Sequence, residues 1–375
     1  MTTSNRRDLE FPAITTQDAI AAEGVYFQAH NEALSLYSAC VLETLAASGI
    51  RVGTNATQMI ATDVSRPYDN RMLERFQARL GRGWGLYVLD LSAAAIAGRL
   101  GHPDSESRAI YVQTNDAAGA IRFANDQLVH VGHASRLARQ SGARLPVGFG
   151  VSNRLIRATA DRKPFKARRR CALRNFSMSF QQAIRYLLDI TYVPRLERSL
   201  PIDRRILSPG VYLEALKTST VCLAYCGHLM GDMAQSPHLA DSTGMALMDH
   251  CAQPAYVLRW DSFRFWEALA AGCLAVQLDF DLYGLDLPVR PVAWVHYAPI
   301  DLSDMKGSIE QLLDRERDWE QIAEAGRNWA IEHYGPGAVA RRLVAAATNP
   351  FQAQEWGPEE IAARNTWALR QNQPG

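Results

Sequence analysis

The sequence of 375 residues contains no long apolar run. A helix needs about 18 to 20 consecutive apolar residues to cross a bilayer, and no stretch of the chain offers them. The N-terminus, MTTSNRRDLEF, also lacks the apolar segment of a signal peptide. We therefore predict a protein without a membrane span and expect it in the cytoplasm.

The chain has no excess of charge of either sign. Its 40 basic and 39 acidic residues give a net charge of +1. Such a balance argues against a surface dedicated to duplex DNA or to an anionic membrane. A local anion site remains compatible with it.

Close cysteine pairs are missing as well. The six cysteines are scattered, and Cys222, Cys226 and His228, the nearest approach to a cluster, lack the C-x2-C spacing of structural zinc sites. We expect reduced cysteines and no metal site. A G-x-G-x-x-G turn after a first strand is also lacking, which disfavours a dehydrogenase.

The chain is longer than one hydrophobic core usually supports, and its strands alternate with helices, which predicts two α/β domains. A glycine-rich stretch near Gly150, followed by the basic segment DRKPFKARRR, marks the boundary. We expect two Rossmann-like domains, residues 1–150 and 151–350. The tail, 351–375, either crosses back to the N-terminal domain or frays.

The hydrophobic pattern predicts the elements of both halves. In the first half we expect a helix at 31–48 and strands at 84–91, 109–113 and 127–131. In the second half we expect strands at 170–176, 220–225 and 273–278, and helices at 179–189, 209–218, 263–271, from Asp304, and at 319–333.

Polar residues lie at the ends of the predicted N-terminal strands, where open α/β sheets bind ligands. Asp90 ends the strand WGLYVLDL, and Thr114, Asn115 and Asp116 follow the next one. A carboxylate or an imidazole there suits a base that deprotonates a hydroxyl. Each of them also suits a helix cap or a loop hydrogen bond. The candidates for this base are Asp90, Asp116, His30, His130 and His133.

Glu267 lies in the middle of a predicted helix among aromatic residues, leucine and alanine. A carboxylate in such surroundings needs a partner. A nucleotide ribose offers two adjacent hydroxyls, while the amino end of the same helix offers backbone amides and a positive dipole to a diphosphate. The alternative is a local ion pair with Arg264, three residues earlier.

Two blocks resemble a known family. They are SPGVYLEALKTSTVCLAYCG at 208–227 and SFRFWEALAAGCLAVQLD at 262–279, the latter followed by LDLP at 285–288. Their residues and spacing are similar to the donor site of exostosin-like glycosyltransferases. The resemblance covers about residues 165–300.

This resemblance implies a GT-B type enzyme, in which two Rossmann-like domains face each other across a cleft. The C-terminal domain would bind a nucleoside diphosphate sugar, linked to UDP or GDP, and the N-terminal domain a hydroxyl acceptor, expected to be a glycan. No metal and no cofactor are required in that architecture.

The resemblance also assigns roles to residues of the C-terminal half. Glu267 would bind the ribose, Ser262 and Arg264 the diphosphate, and Gly227 would let the backbone approach the nucleotide. The basic run with Arg168, Arg169 and Arg170 would place a cation against the leaving phosphate, because the negative charge that grows on this group needs a cation when no metal is present. The alternative is that the basic run is a solvated linker. Arg259 stands where related retaining enzymes carry a second glutamate, so the stereochemical outcome stays open.

Two other functions remain compatible with the sequence. A relative that kept the fold but lost turnover would bind a nucleotide or a glycan without transferring it. A transferase acting on nucleic acid or protein is suggested only by the basic stretch at 162–174.

Overall fold

The computed structural model describes residues 24–29, 32–34, 36–59, 70–79, 86–90, 108–113, 143–146, 149–176, 183–230, 256–258, 261–283, 285, 287, 289–302 and 304–341. Within these residues the protein is α/β, with two separate five-stranded parallel sheets.

The first sheet contains the strands β1 Val25–Gln28, β3 Val52–Thr54, β5 Leu86–Asp90, β6 Arg108–Gln113 and β7 Ala143–Pro146. Its order is β3-β1-β5-β6-β7, and every pairing is parallel. The short strands β2 Ala33–Leu34 and β4 Gln58–Met59 pair separately, and the helices α1 Leu36–Ala47 and α2 Arg71–Glu74 belong to this half.

The second sheet contains β8 Arg169–Leu173, β9 Ile202–Asp203, β10 Ser219–Leu223, β13 Leu274–Leu278 and β14 Ala298–Ile300, in the order β14-β13-β10-β8-β9. The strands β11 His228–Met230 and β12 Tyr256–Leu258 form an antiparallel pair. The helices of this half are α3 Asn153–Ala158, α4 Ala183–Thr191, α5 Val193–Leu196, α6 Pro209–Thr218, α7 Phe263–Ala270, α8 Met305–Asp314 and α9 Trp319–Tyr334.

Both sheets have the same strand order. Numbered by their appearance in each sheet, the strands run 2-1-3-4-5, which is the order of one common type of doubly wound sheet. In such sheets ligands bind where the chain connections diverge, between the first and third strands and beyond their carboxyl ends. In the second sheet this position lies between β8 and β10, and in the first between β1 and β5.

Most predicted elements are found, with small shifts in their bounds. Among the described residues, the helix expected at 31–48 has the largest shift. The chain first forms β2, and α1 begins only at Leu36. Glu32 adopts the left-handed backbone conformation, with φ 58°. A residue in this conformation cannot continue a right-handed helix, so the helix starts later than its apolar pattern suggests. The strand predicted at 127–131 lies outside the described residues.

Stacked aromatic rings form the centre of the second core. Trp266 of α7 stacks on Trp329 of α9 with ring centroids 5.8 Å apart, and Tyr334 lies 4.8 Å from Trp266. Burying such rings is among the largest single contributions to a core. The contact fixes α7 against α9 and thereby positions the amino end of α7.

The two halves are joined at several points. Phe149, in the segment that follows β7, stacks on Phe263 with ring centroids 4.2 Å apart. The Val151 amide donates to the carbonyl of Tyr334 at 3.0 Å. Beyond α9, Val339 and Ala340 pack into the core of the first half, so the chain returns to that half before the predicted tail, which lies outside the described residues.

No helix in the described part of the chain is long and apolar enough to cross a membrane.

Gly326 tests the packing of α9. A Cβ atom there would lie 2.1 Å from the carbonyl oxygen of His296, so Gly326→Ala must push the helix away. We expect the free energy of unfolding in urea to fall by about 1 to 3 kcal/mol.

Gly210→Ala is the matched control, because a Cβ atom at this position in α6 meets nothing within 4 Å. Replacing a helical glycine without a clash should raise stability by about 0.5 to 1 kcal/mol. Equal stability of the two variants would contradict the packing described here.

Candidate anion-binding site

The carboxyl ends of β8 and β10 form the candidate site. Asn175 lies just beyond β8, and Gly227 lies just beyond β10, with φ 134°. Side chains rarely adopt this backbone conformation, which favours glycine. The predicted Gly227 therefore lies at the position where a doubly wound sheet binds its ligand.

Two helices begin at this edge. The Ile184 amide, in the first turn of α4, donates to the carbonyl of Gly227 at 3.3 Å. Ser262 is the N-cap of α7, and its Oγ donates to the Ala224 carbonyl at 3.1 Å instead of capping its own helix. Neither helix has an acidic residue in its first turn. The positive ends of both dipoles therefore meet at the end of β10.

Three arginines, Arg174, Arg185 and Arg264, surround the same edge, and we call them the arginine cluster. Arg174 is neutralised by Asp189, which accepts from its Nε at 2.7 Å. Its guanidinium also lies over the ring of Phe176 at 4.2 Å. This member of the cluster has a structural role.

Arg185 is buried, with 4% of its surface exposed. Its Nε donates to the Tyr225 carbonyl at 3.3 Å. Burial lowers the pKa of Arg185, and the positive charge of Arg264 lowers it further. An arginine remains protonated in proteins despite such a shift. The result is a positive charge held in the protein close to a second one.

Arg264, in the first turn of α7, is partly exposed. Its Nε donates to the carbonyl of Asn175. This is its one hydrogen bond to another residue in the described part of the chain, and its two terminal nitrogens hydrogen-bond to no described residue. The ion pair with Glu267, which was the alternative to a ribose contact, is not among these contacts.

Glu267 is buried, with 4% of its surface exposed, one turn further into α7. It lies close enough to Tyr212 and Cys222 to affect their ionisation. Burial is the main cause that raises the pKa of both groups, to about 12 for Cys222, and the negative charge of Glu267 adds to it. The carboxylate thus lies between α6, α7 and β10, and its contact with a ribose stays a prediction.

Asp261 fixes the start of α7 from the preceding loop. Its Oδ1 accepts from Trp266 Nε1 at 2.6 Å, and its Oδ2 accepts from the Phe149 amide at 2.8 Å. Burial raises the pKa of Asp261 to about 7, although these hydrogen bonds favour the charged form. The residue therefore joins α7 to the segment that leaves the first sheet.

The structure does not bring Arg168 and Arg170 to this edge. Both lie at the start of β8, which is the opposite end of a parallel sheet from Gly227. Arg168 Nη1 donates to the Gly272 carbonyl at 2.6 Å, and Arg170 forms an ion pair with Glu316. Their contact with a leaving phosphate stays a prediction, and in this structure the two arginines bind groups at the amino ends of the strands.

Of the predicted N-terminal residues, Asp90 can be placed. It is the last residue of β5, and the neighbouring Leu89 is in register with Gln28 of β1. It therefore lies at the carboxyl edge of the first sheet, as the sequence suggested. The other candidates lie outside the described residues: His30, Thr114, Asn115, Asp116, His130 and His133.

Two residues of the site were not singled out for it from the sequence. Arg185 stands four residues before Asp189, so helical spacing suggests an ion pair between them, but Asp189 binds Arg174. The signal for Arg185 in the sequence was its position next to Ile184 in an amphipathic helix. Asp261 was missed because its partner Phe149 lies 112 positions away.

No protein-family model and no curated protein matches this chain. One similar solved structure is an alpha-glucosyltransferase in complex with UDP-glucose and DNA containing an abasic site, with 8% identity and a TM-score of 0.46 over 87% of this chain and 98% of that chain. Another is an alpha-glucosyltransferase (AGT) in complex with UDP, with 8% identity and a TM-score of 0.47 over 87% of this chain and 99% of that one.

These likenesses do not extend to the exostosin-like family suggested by the sequence. At this level of identity and TM-score they carry no assignment of function, which must come from the residues of the site. In the described part of the chain, no group of three or more histidine, cysteine, aspartate or glutamate residues could hold a metal ion. Cys40, Cys171, Cys222, Cys226 and Cys273 are buried, and none of them forms a disulfide within the described residues.

The pKa of Asp261 gives a prediction on stability. An unfolded aspartate has a pKa of about 3.9, whereas burial raises that of the folded protein to about 7. At pH values between these two, the folded protein binds more protons than the unfolded chain. The contribution of Asp261 to stability therefore falls as pH rises through this window and levels off above it. In Asp261→Asn the unfolding free energy should depend less steeply on pH between 5 and 7.5.

Urea titrations at each pH measure this slope. Glu310→Gln, which removes an exposed carboxylate of α8, should keep the slope of the unmodified protein. Identical slopes for Asp261→Asn and the unmodified protein would show that Asp261 does not hold the proton assigned to it.

Proposed function

We propose that the protein is a metal-independent glycosyltransferase of the GT-B type, which transfers a sugar from a nucleoside diphosphate to a hydroxyl acceptor. The observation that carries this proposal is the convergence of Arg185, Arg264 and two helix amino ends beyond β8 and β10. Cations, helix dipoles and a close backbone approach at Gly227 suit a diphosphate.

The chemistry explains why such a site needs positive charge. When the bond between the sugar and the diphosphate breaks, negative charge grows on the leaving group. A group that is already positioned stabilises this charge without reorganisation. Arg264 offers its two terminal nitrogens, and the buried Arg185 supplies a field that little water screens.

In this proposal Ser262 helps to position the diphosphate through its place at the start of α7. Its hydroxyl binds the Ala224 carbonyl, so its backbone rather than its side chain faces the ligand. Glu267 accepts hydrogen bonds from the ribose, as the sequence suggested. UDP and GDP are the expected nucleotides.

The acceptor is proposed to bind at the first sheet, across a cleft between two Rossmann-like domains divided near residue 150. Asp90 is the described candidate for the base because it ends a central strand of that sheet. Asp116 and His133 keep the same proposed role, although they lie outside the described residues. A glycan hydroxyl in the cytoplasm is the proposed acceptor.

Nucleotide binding is measured first by thermal shift with UDP, GDP, ADP and CDP, with and without EDTA. A ligand that binds only the folded state raises Tm, and we expect one of UDP and GDP to do so equally in EDTA. Arg264→Met should lower the affinity for that nucleotide about tenfold or more, because a charge-assisted contact with phosphate is lost. The same substitution should lower the affinity for inorganic pyrophosphate by the same factor.

Arg198→Met is the matched control, since this arginine is exposed and lies outside the cluster. Unchanged nucleotide affinity in Arg264→Met would refute the diphosphate site. Binding without hydrolysis or transfer of any nucleotide sugar would instead favour the non-catalytic relative.

The ribose contact of Glu267 has a test of its own. A carboxylate that binds both ribose hydroxyls should make the protein prefer UDP to 2′-deoxy-UDP, or GDP to 2′-deoxy-GDP. Glu267→Gln should remove most of this preference, with a loss of about tenfold for the ribonucleotide, and leave pyrophosphate binding unchanged. If the preference survives the substitution, Glu267 is a structural residue.

A further inference from the structure

A cavity of about 500 Å³ lies beside the carboxyl ends of β1 and β3, in the first half of the protein. It is separate from the arginine cluster, which lies at the second sheet. Arg79 is the one charged residue in its described lining. The residues that matter for the argument are Tyr26, Gln28, Thr54, Asn55, Gln77 and Arg79.

The hydrogen bonds of Asn55 and Thr54 make one wall of this cavity rigid. Asn55 binds the backbone of Ala29 twice, accepting from its amide at 2.7 Å and donating to its carbonyl at 2.8 Å. Thr54 Oγ1 donates to the Phe27 carbonyl at 2.8 Å and accepts from the Ala56 amide at 3.0 Å. A wall held in this way is preorganised for a ligand.

Gln28 differs from these residues. Its Oε1 is buried and accepts no hydrogen bond from any residue in the described part of the chain. A buried acceptor without a donor is costly, and native proteins leave few of them. Gln28 ends β1 and lines the cavity, so a ligand in the cavity can supply the missing donor.

The chemistry of the lining indicates the class of this ligand. The described residues of the inner wall carry no formal charge, and Gln77 and the cationic Arg79 are exposed at its margin. An amide oxygen accepts an O–H or N–H donor but cannot remove a proton at neutral pH. A neutral sugar, with several hydroxyls that donate, matches this wall.

We propose that this cavity binds a sugar unit of the acceptor, and that Gln28 is a positioning residue that accepts a hydrogen bond from one of its hydroxyls. This inference rests on the proposed transferase function, to which it adds the cavity that binds the acceptor and the residue that positions it. Asp90 lies on the strand next to β1, one position beyond the residue in register with Gln28. The cavity therefore places a hydroxylated ligand at the edge of the sheet that carries the proposed base.

The test is ligand-observed NMR with methyl α-D-glucopyranoside, N-acetylglucosamine and glucose 6-phosphate, each titrated in the presence of saturating UDP. At least one neutral sugar should bind the unmodified protein. Gln28→Met preserves the length of the side chain but removes the acceptor, and it should weaken this binding about tenfold. Gln28→Glu retains an acceptor oxygen and should bind more tightly than Gln28→Met.

Two controls separate a binding role from a structural one. Gln58→Met changes an exposed glutamine of β4 in the same half and should leave sugar binding unchanged. Gln28→Met should have a Tm equal to or above that of the unmodified protein, because the substitution removes a buried acceptor that has no partner. If Gln28 instead stabilised the fold, Gln28→Met would have a lower Tm than the unmodified protein.

Binding of no neutral sugar, or equal binding to Gln28→Met and the unmodified protein, would overturn the inference. Tighter binding of glucose 6-phosphate than of either neutral sugar would also overturn it, since the ligand would then be an anion held by Arg79. The thermal shifts with UDP and with GDP are measured on the same samples. The absence of both shifts would refute the proposed donor site independently of the sugar titrations.

Discussion

The geometry of the candidate site depends on the carboxylate of Asp261. One of its oxygens binds the indole of Trp266 inside α7, and the other binds the Phe149 amide in the segment that leaves the first sheet. Phe149 also stacks on Phe263, the first residue of α7. The helix that presents Arg264 is therefore aligned both by its own core and by residues that precede the second sheet.

This arrangement explains how positive charge can be kept at the end of β10. An isolated buried cation is expensive, but backbone carbonyls at the ends of strands can solvate it. Arg185 and Arg264 bind the carbonyls of Tyr225 and Asn175, respectively. The same contacts hold the two guanidinium groups close enough for the charge of Arg264 to add to burial in lowering the pKa of Arg185.

Local signals made much of the second half predictable. Helix α6 has the predicted bounds, because Pro209 suits the first turn of a helix and a strand of β-branched and apolar residues follows directly. Strand β13 was found because Gly272 ends the helix before it, with φ 67°. Each of these features depends on neighbours in the sequence.

The site was less predictable, since it depends on contacts between distant segments. The resemblance implied a phosphate contact for Arg168 and Arg170, but both lie at the start of β8, whereas doubly wound sheets bind ligands at the carboxyl ends of their strands. Arg185 was missed because its surroundings come from β10 and α7. No periodicity in the sequence reveals which helix will begin beside Gly227.

The return of the chain after α9 has a consequence for biosynthesis. Among the side chains that the structure describes, the core of the first half combines buried residues from positions 25–73 with Val339 and Ala340. A ribosome releases the N-terminal segment long before these two residues, so the first sheet leaves the exit tunnel with part of its apolar surface uncovered. The second half contains nearly all of its own core and can reach its final packing without that wait, although it is synthesised later.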